Sequence, residues 1–379
     1  MEHGTINGGN VTMHKRTSVP RPVVEKIKQV VPGWAERTPS ELCRLLGRES
    51  VAKLSFNESP YGPSPKAVEA MREEACRTHL YHDMEAKELR QKIAGRFGLA
   101  MDNVFVGNGG DEAIALLVNA FVSPGDEVVM PWPTFGQYAA ATTIMDGVPV
   151  KVPVRPDDLK ADLSAMAAAI TSRTKIVFLC NPNNPTGVAV DGTELRQFLT
   201  AVPPHVLVGI DEAYAEFVSE PAFVSGVDLL PAFSNVVVIR TFSKIFGLAG
   251  MRVGYGMARP EIVTMVQRVR PLFNVNNLAQ IGAMAALDDA EFLKMSAEKN
   301  AAERRWLTEE LSLLGCRVIP SQTNFLFVDT GRDAAAVADA ARAEGIVIRA
   351  GGGWGYPSYL RISLGTHEQN EALLAVLKK

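Results

Sequence analysis

The stretch Thr241-Phe242-Ser243-Lys244-Ile245-Phe246-Gly247-Leu248-Ala249-Gly250-Met251-Arg252 brings an amine, a hydroxyl and a guanidinium into one short segment. A lysine amine condenses with an aldehyde to a Schiff base, while a serine hydroxyl and an arginine fork suit a phosphate ester close by. The residue types at 241–252 therefore point to a covalently held, phosphorylated aldehyde. A Ser-Lys dipeptide by itself also reads as a solvated lysine beside a turn, so the neighbouring motifs carry the decision.

Three further segments place chemistry at strand ends. Gly107-Asn108-Gly109-Gly110-Asp111-Glu112 lies between a predicted strand and a helix running to about residue 122. A helix start offers unpaired amides and the positive end of a dipole, so a phosphate fits against Gly110 and Asp111; a tight turn with an acidic helix start is the alternative. Asp211-Glu212-Ala213-Tyr214 follows the apolar run 206–210, placing Asp211 at the carboxyl end of a core strand, where open α/β sheets bind ligands. A carboxylate there can keep a pyridinium nitrogen protonated, and Tyr214 can hydrogen-bond a ring oxygen. The structural alternatives are a carboxylate satisfied by turn amides and a core tyrosine with a wet tip. Asn181-Pro182-Asn183-Asn184-Pro185-Thr186-Gly187 leaves another strand, its prolines and glycine stiffening a turn that aims Asn184 inward. Pro131-Trp132-Pro133-Thr134-Phe135 leaves a further one, and Phe135 either stacks on a planar ring or fills core space.

The elements that must position these residues are legible as an alternation. Residues 66–77 and 86–97 have helical apolar spacing, and short apolar runs follow at 104–106, 128–130, 176–180, 206–210, 236–239 and 252–257. Such runs fit strands of a mainly parallel sheet buried on both faces, with helices between them. After about residue 288 a long charge-laced helix, 290–314, bridges to a smaller α+β domain with strands at 316–319, 324–328 and 360–363 and helices at 334–344 and 368–377. The expected division is a flexible arm at 1–20, a segment 21–59 joining the small domain, a large domain at 60–288 and a small domain at 289–379.

Composition narrows the class. At 379 residues, 47% apolar and 21% charged, with a net charge of -3, the chain can bury a large core and shows no basic footprint for nucleic acid or anionic membranes. No apolar run approaches a membrane span and the first twenty residues lack an apolar signal core, so a cytoplasmic location is expected. Cys43, Cys76, Cys180 and Cys316 are scattered and read as reduced, mostly buried thiols, and the six histidines form no ligand-spaced cluster, so no metal is expected.

Taken in order, Asn57-Glu58-Ser59-Pro60-Tyr61-Gly62, residues 107–112, 181–187, 211–217, 241–252 and Tyr359-Leu360-Arg361-Ile362-Ser363-Leu364-Gly365-Thr366 form six family-like motifs. Over about residues 33–377 the chain resembles the fold-type I pyridoxal-phosphate aminotransferases, and within them the histidinol-phosphate aminotransferase subfamily. The resemblance implies an α/β fold with a mainly parallel seven-stranded sheet between helices in the large domain, and pyridoxal 5′-phosphate as cofactor. It makes Lys244 the Schiff-base lysine and proton shuttle, Asp211 the partner of the pyridine nitrogen, and Tyr214 and Asn184 the partners of the phenolic oxygen. Phe135 becomes the ring stacker, with Gly109, Gly110, Asp111, Thr241, Ser243 and Arg252 around the phosphate. Tyr81 matches a tyrosine that reaches the phosphate across a homodimer interface, so the active sites are expected to be shared. Arg361 matches the arginine that grips the substrate carboxylate, and Asn184 is expected to contact the substrate as well. Arg349, with Tyr61, matches the reader of a substrate phosphate.

The implied reaction is ping-pong amino transfer between histidinol phosphate and 2-oxoglutarate, in histidine biosynthesis. Aromatic amino acid transamination and phosphothreonine decarboxylation are the alternatives. Three departures concern specificity: Gly110 stands where the family often has Ser or Ala, Tyr81-His82-Asp83 where it has Tyr-Pro-Asp, and Ser59 where it repeats Asn. The linker Ala350-Gly351-Gly352-Gly353-Trp354-Gly355 is glycine-heavy and is expected to move on closure.

Overall fold

A computed structural model describes residues 38–379. The expected arm at 1–20, and the part of the 21–59 segment before residue 38, lie outside the described residues.

Seven strands form the larger sheet: β1 (Val104–Gly107), β2 (Glu127–Trp132), β3 (Val148–Pro153), β4 (Thr174–Cys180), β5 (Leu207–Asp211), β6 (Val236–Thr241) and β7 (Gly254–Met257). Their spatial order is β1-β7-β6-β5-β4-β2-β3. Only β7 is antiparallel to its neighbours; the other pairings are parallel. The apolar runs segregate by alternation, as strands covered on both faces must. Val129, Val177, Leu179, Val208, Ile210, Val236 and Val238 enter one apolar cluster. Val128, Met130, Ile176, Phe178, Val237 and Ile239 enter another.

The larger sheet departs from the expected strands in two places. The 252–257 run starts its strand at Gly254, because Arg252 takes a left-handed φ of 58° that breaks the extended chain. Strand β3 went unpredicted: Pro149, Lys151 and Pro153 disguise it, and such residues are tolerated because β3 is an edge strand. Of the four cysteines only Cys180 is buried; Cys76 is exposed, and Cys43 and Cys316 are half-buried, which corrects the expectation of mostly buried thiols. Their neighbouring helix and strand ends are simply at the surface.

The smaller sheet contains β8 (Arg317–Ile319), β9 (Phe325–Asp329), β10 (Arg349–Ala350) and β11 (Tyr359–Ser363), in the order β10-β11-β9-β8 and antiparallel throughout. The early segment Ala52–Lys53 pairs in parallel with Ile346–Val347, and Ser363 N donates to Leu54 O, which brings 52–57 beside the smaller sheet. The long helix Ala290–Leu313 buries Arg304 at its middle, where the guanidinium donates to the carbonyls of Phe217 and Thr323 and to Ser219 Oγ. These bonds span chain segments on either side of that helix.

Candidate active site

Because β2, β4, β5 and β6 are parallel neighbours, their carboxyl ends lie on one edge of the sheet. Cys180 stands opposite Asp211, and Asp211 opposite Ile239, so the Asn181–Asn184 turn, Asp211 and the segment after Thr241 emerge side by side. At the far end of the row, Gly254 pairs with both Gly107 and Thr241. A Cβ on Gly254 would stand 2.6 Å from Gly109 C and Gly110 N, so glycine there lets the helix start press against the sheet edge.

That helix start has the geometry to accept an anion. Gly109–Phe121 has no side-chain bond at its N-cap, so its first amides remain available to a ligand. Arg252 lies across it, donating from Nη2 to Asp111 Oδ2 at 3.0 Å and from Nη1 to Ala249 O at 3.0 Å. Gly109 has φ +81°, and a Cβ on it would sit 2.4 Å from Arg252 Nη2. The side chains of Thr241 and Ser243 are buried and joined, Thr241 Oγ1 donating to Ser243 Oγ at 2.9 Å, which leaves the Ser243 proton to point elsewhere. At Gly110 the nearest atom to an added Cβ is Thr241 Cβ at 4.0 Å, so the departure from Ser or Ala at this position is not forced by space. Amides, the Ser243 hydroxyl and a guanidinium form a donor set that fits a phosphate.

Asp211 is buried and accepts two hydrogen bonds, from Tyr138 Oη at 2.6 Å and from Ala213 N at 3.1 Å. Burial pushes its carboxyl pKa up to about 6, against the pull of those two donors. Neighbouring Glu212 has a different job. It is fully buried, taking Arg240 Nη2 at 2.7 Å, Ser225 Oγ at 2.9 Å and Gly226 N at 2.5 Å, a structural ion pair beneath the edge. Tyr138 was missed by sequence reasoning; its position three residues after Phe135 on a helix's first turn was the only available signal.

Lys244 is half-buried at this edge, its Nζ donating to Phe56 O at 3.0 Å. Burial, with the positive charges of Arg361 and Arg252, lowers its amine to about 8. Tyr214 Oη accepts from Asn57 Nδ2 at 3.1 Å, and burial raises its phenol above the ordinary value. Asn57 also escaped notice as a site residue. It has φ 58° and is clamped by Ser363 Oγ and Asn324 Nδ2, which fasten the smaller sheet to Tyr214.

Among the turn asparagines only Asn184 faces the charged chemistry, accepting from Arg361 Nη1 at 2.7 Å. Asn183 stitches the loops together, accepting from Thr134 Oγ1 and donating to Pro133 O, while Asn181 Oδ1 accepts from Val190 N. Arg361 is buried and also donates to Ser55 O. It stands directly opposite Arg349 on the neighbouring strand, and the two guanidiniums lie 5.3 and 5.1 Å from the same Trp354 ring. Tyr61 is half-buried with Lys299 5.4 Å from its ring, and burial, aided by Glu303, pushes its phenol up to about 12.

Phe135 packs edge-on against Tyr138 at 5.7 Å. Tyr81 is not in this assembly: it is 86% exposed and stacked on Phe273 at 4.6 Å. The glycine-heavy linker forms a short turn, Gly351–Trp354, whose tryptophan supplies the shared ring.

The buried carboxylate, the lysine of lowered pKa, the helix start that fits an anion and the arginine pair gather around one edge of an α/β sheet covered on both faces. The aminotransferase class I and II family matches residues 49–377, and the chain belongs to it. Its strand-end motifs and that membership make it a fold-type I enzyme of pyridoxal 5′-phosphate chemistry.

Particular relatives are close. The chain is 43% identical over 360 residues to the histidinol-phosphate aminotransferase of Moorella thermoacetica, covering 95% of this chain and 92% of that protein. With that of Anaeromyxobacter sp. it shares 44% identity over 357 residues, 94% and 97% of the two lengths. The crystal structure of the Sinorhizobium meliloti histidinol-phosphate aminotransferase, in complex with pyridoxal-5′-phosphate, superposes with a TM-score of 0.86 at 30% identity, covering 96% of this chain and 98% of that one.

Proposed function

We propose that the chain is a histidinol-phosphate:2-oxoglutarate aminotransferase, acting in the cytoplasm as a homodimer. The observation that carries the substrate reading is the Arg349–Arg361 pair. Like charges set directly opposite on neighbouring strands repel and weaken a sheet. A phosphate monoester, close to doubly charged at neutral pH, offsets both guanidiniums, whereas the carboxylate of an aromatic amino acid matches one. Arg361, held by Asn184, serves the anion common to both half-reactions, and Arg349 supplies the second charge for the phosphate. The names of the relatives at 43% and 44% identity support the same substrate.

The residues present fit pyridoxal phosphate, with Thr241, Ser243, Arg252 and the amides of Gly110 and Asp111 toward its phosphate, Asp211 toward its ring nitrogen, and Tyr214 and Asn184 toward its phenolic oxygen. When bound, the cofactor supplies an electron-withdrawing ring that acidifies the substrate Cα–H. Arg361 and Arg349 hold the substrate anion so that this bond is presented to Lys244. Lys244 Nζ, whose lowered pKa makes a free amine available near neutral pH, takes the proton from Cα. Asp211, as an anion, keeps positive charge on the ring nitrogen favourable. Support for the dimer comes from the apolar surface around Tyr81, where Leu80 and Leu272 are also exposed and Arg270 ties the two segments through Met84 O. A second copy covering it would bring Tyr81 to its partner's site.

The deciding experiment is a 2-oxoglutarate-coupled assay with histidinol phosphate, phenylalanine, tyrosine and phosphothreonine. Histidinol phosphate should give the highest kcat/KM. An equal or higher value for phenylalanine or tyrosine would refute the substrate, and carbon dioxide release without keto product would move the protein to the decarboxylases. Sedimentation showing a monomer with full activity would remove the shared site.

A further inference from the structure

We propose that Tyr138 is a positioning residue for the cofactor's ring nitrogen, acting through the 2.6 Å hydrogen bond that orients the Asp211 carboxylate. The proposal rests on the reading of Asp211 as the ring-nitrogen partner.

A fully buried tyrosine needs a hydrogen-bond partner, and a nearby carbonyl would satisfy it. Tyr138 instead uses the one carboxylate that ends β5 at the ligand edge. Its ring is held by stacking on Phe178 of β4, 4.7 Å away and 12° from parallel, and the Cys180 thiol is the other polar side chain within reach of its phenol. On the Asp211 side, Oδ2 takes Tyr138 and Oδ1 takes Ala213 N. A carboxylate accepts about four hydrogen bonds, so each oxygen keeps a lone pair for the cleft while its plane is set by both donors. The helix that carries Tyr138 starts two residues after Phe135, and the two rings touch edge to face. One short segment thus supplies both the candidate ring stacker and the donor that aims the carboxylate.

The charge balance makes this donor consequential. Asp211 is opposed by burial and by the negative Asp111 and Glu212, and the buried Cys180 thiol and Tyr214 phenol face it from β4 and from the following turn. Glu212 is itself matched by Arg240. Tyr138 and Ala213 N are the groups that favour the anion. Losing the phenol proton therefore raises the carboxyl pKa, and a neutral Asp211 no longer attracts a protonated ring nitrogen.

The test uses Y138F, which keeps the stacked ring, and 4′-deoxypyridoxine 5′-phosphate, a probe that has no aldehyde and binds without bonding Lys244. In the full-length apoprotein, Y138F should weaken probe binding about tenfold or more near neutral pH, the scale of a charge-assisted hydrogen bond. The pH below which binding is lost should move up by about one unit. In a D211N background the same substitution should change affinity less than about twofold. Wild-type-like binding by Y138F across pH, or an equal loss in the D211N background, overturns the proposal. If Y138F does not fold, the wild-type protein labelled with 13Cζ-tyrosine decides: the Tyr138 signal should move as Asp211 titrates and as the probe binds, and an unmoved signal overturns it. Failure of the wild-type protein to bind the probe at all would instead sink the reading of Asp211 itself.

Discussion

The two halves of the site are built differently. On the large-sheet side, Asp211, Tyr138, Thr241 and Ser243 are buried, each placed by a central strand or by a helix packed on it, and each tied by short hydrogen bonds. On the small-sheet side, Arg349 lies on a two-residue strand beside a glycine-rich turn, and Tyr61 is only half-buried. Rigid placement suits proton transfer, where a small displacement is costly, while an adjustable wall suits one enzyme that must accept two substrates in turn. Asn57 is the joint between them, bonded to Tyr214 on one side and to Ser363 and Asn324 on the other.

Breaking the large-sheet half should have the largest effect. K244A should abolish borohydride capture of pyridoxal phosphate and lower turnover by more than about a thousandfold; a variant that still traps the cofactor covalently contradicts the assignment. In the wild type, the rate of covalent capture should climb with pH through about 8, where the Lys244 amine loses its proton, and a flat profile between pH 6 and 9 would contradict that.

Asp211 allows a sharper test, because function and stability should move in opposite directions. Its carboxyl pKa of about 6 is above the ordinary 3.8, so ionising it costs folded stability; the cost is absent below the ordinary value and complete above about pH 6. D211N should therefore stabilise the apoprotein by roughly 3 kcal/mol at pH 7 to 8 and by almost nothing near pH 4, while weakening cofactor binding. Thermal melts at the two pH values check this.

The small-sheet half should yield a selective effect. R349A should lower kcat/KM for histidinol phosphate about a hundredfold, with phenylalanine and tyrosine changing by less than about threefold. Equal losses would remove its role as a phosphate reader. The smallest effect belongs to a pair in the cradle: G110S should change stability by less than about 0.5 kcal/mol, while G109S, meeting Arg252 at a positive φ, should lose cofactor affinity. Cofactor titration of both variants distinguishes a cradle that Arg252 shapes from one formed by the helix start alone.

Much of the site was readable along the chain because its residues follow buried strands, and a continuous apolar run ending in a polar turn marks a strand's carboxyl end. Asp211, Asn184 and the Gly107 turn were read from such strand ends and Lys244 from the residue types around it, and the alternating α/β order was legible with them. Strand β3 was hidden by its prolines, and the two-residue β10 is too short to have a period.

Residue types and strand-end positions were thus determined by the sequence, since hydrophobic alternation and turn chemistry act over a few neighbours. Partner choice was decided only by the tertiary structure. Asp211 and Glu212 are adjacent carboxylates, yet one faces Tyr138 at the ligand edge and the other neutralises Arg240, because β5 ends at Asp211 and Glu212, one residue beyond, meets the Arg240 side chain of the neighbouring strand. The link from Tyr138 to Asp211 spans 73 residues, and that from Asn184 to Arg361 spans 177. No local pattern encodes such pairs; they exist because sheet register and packing bring distant strand ends together, and register is set by the whole core.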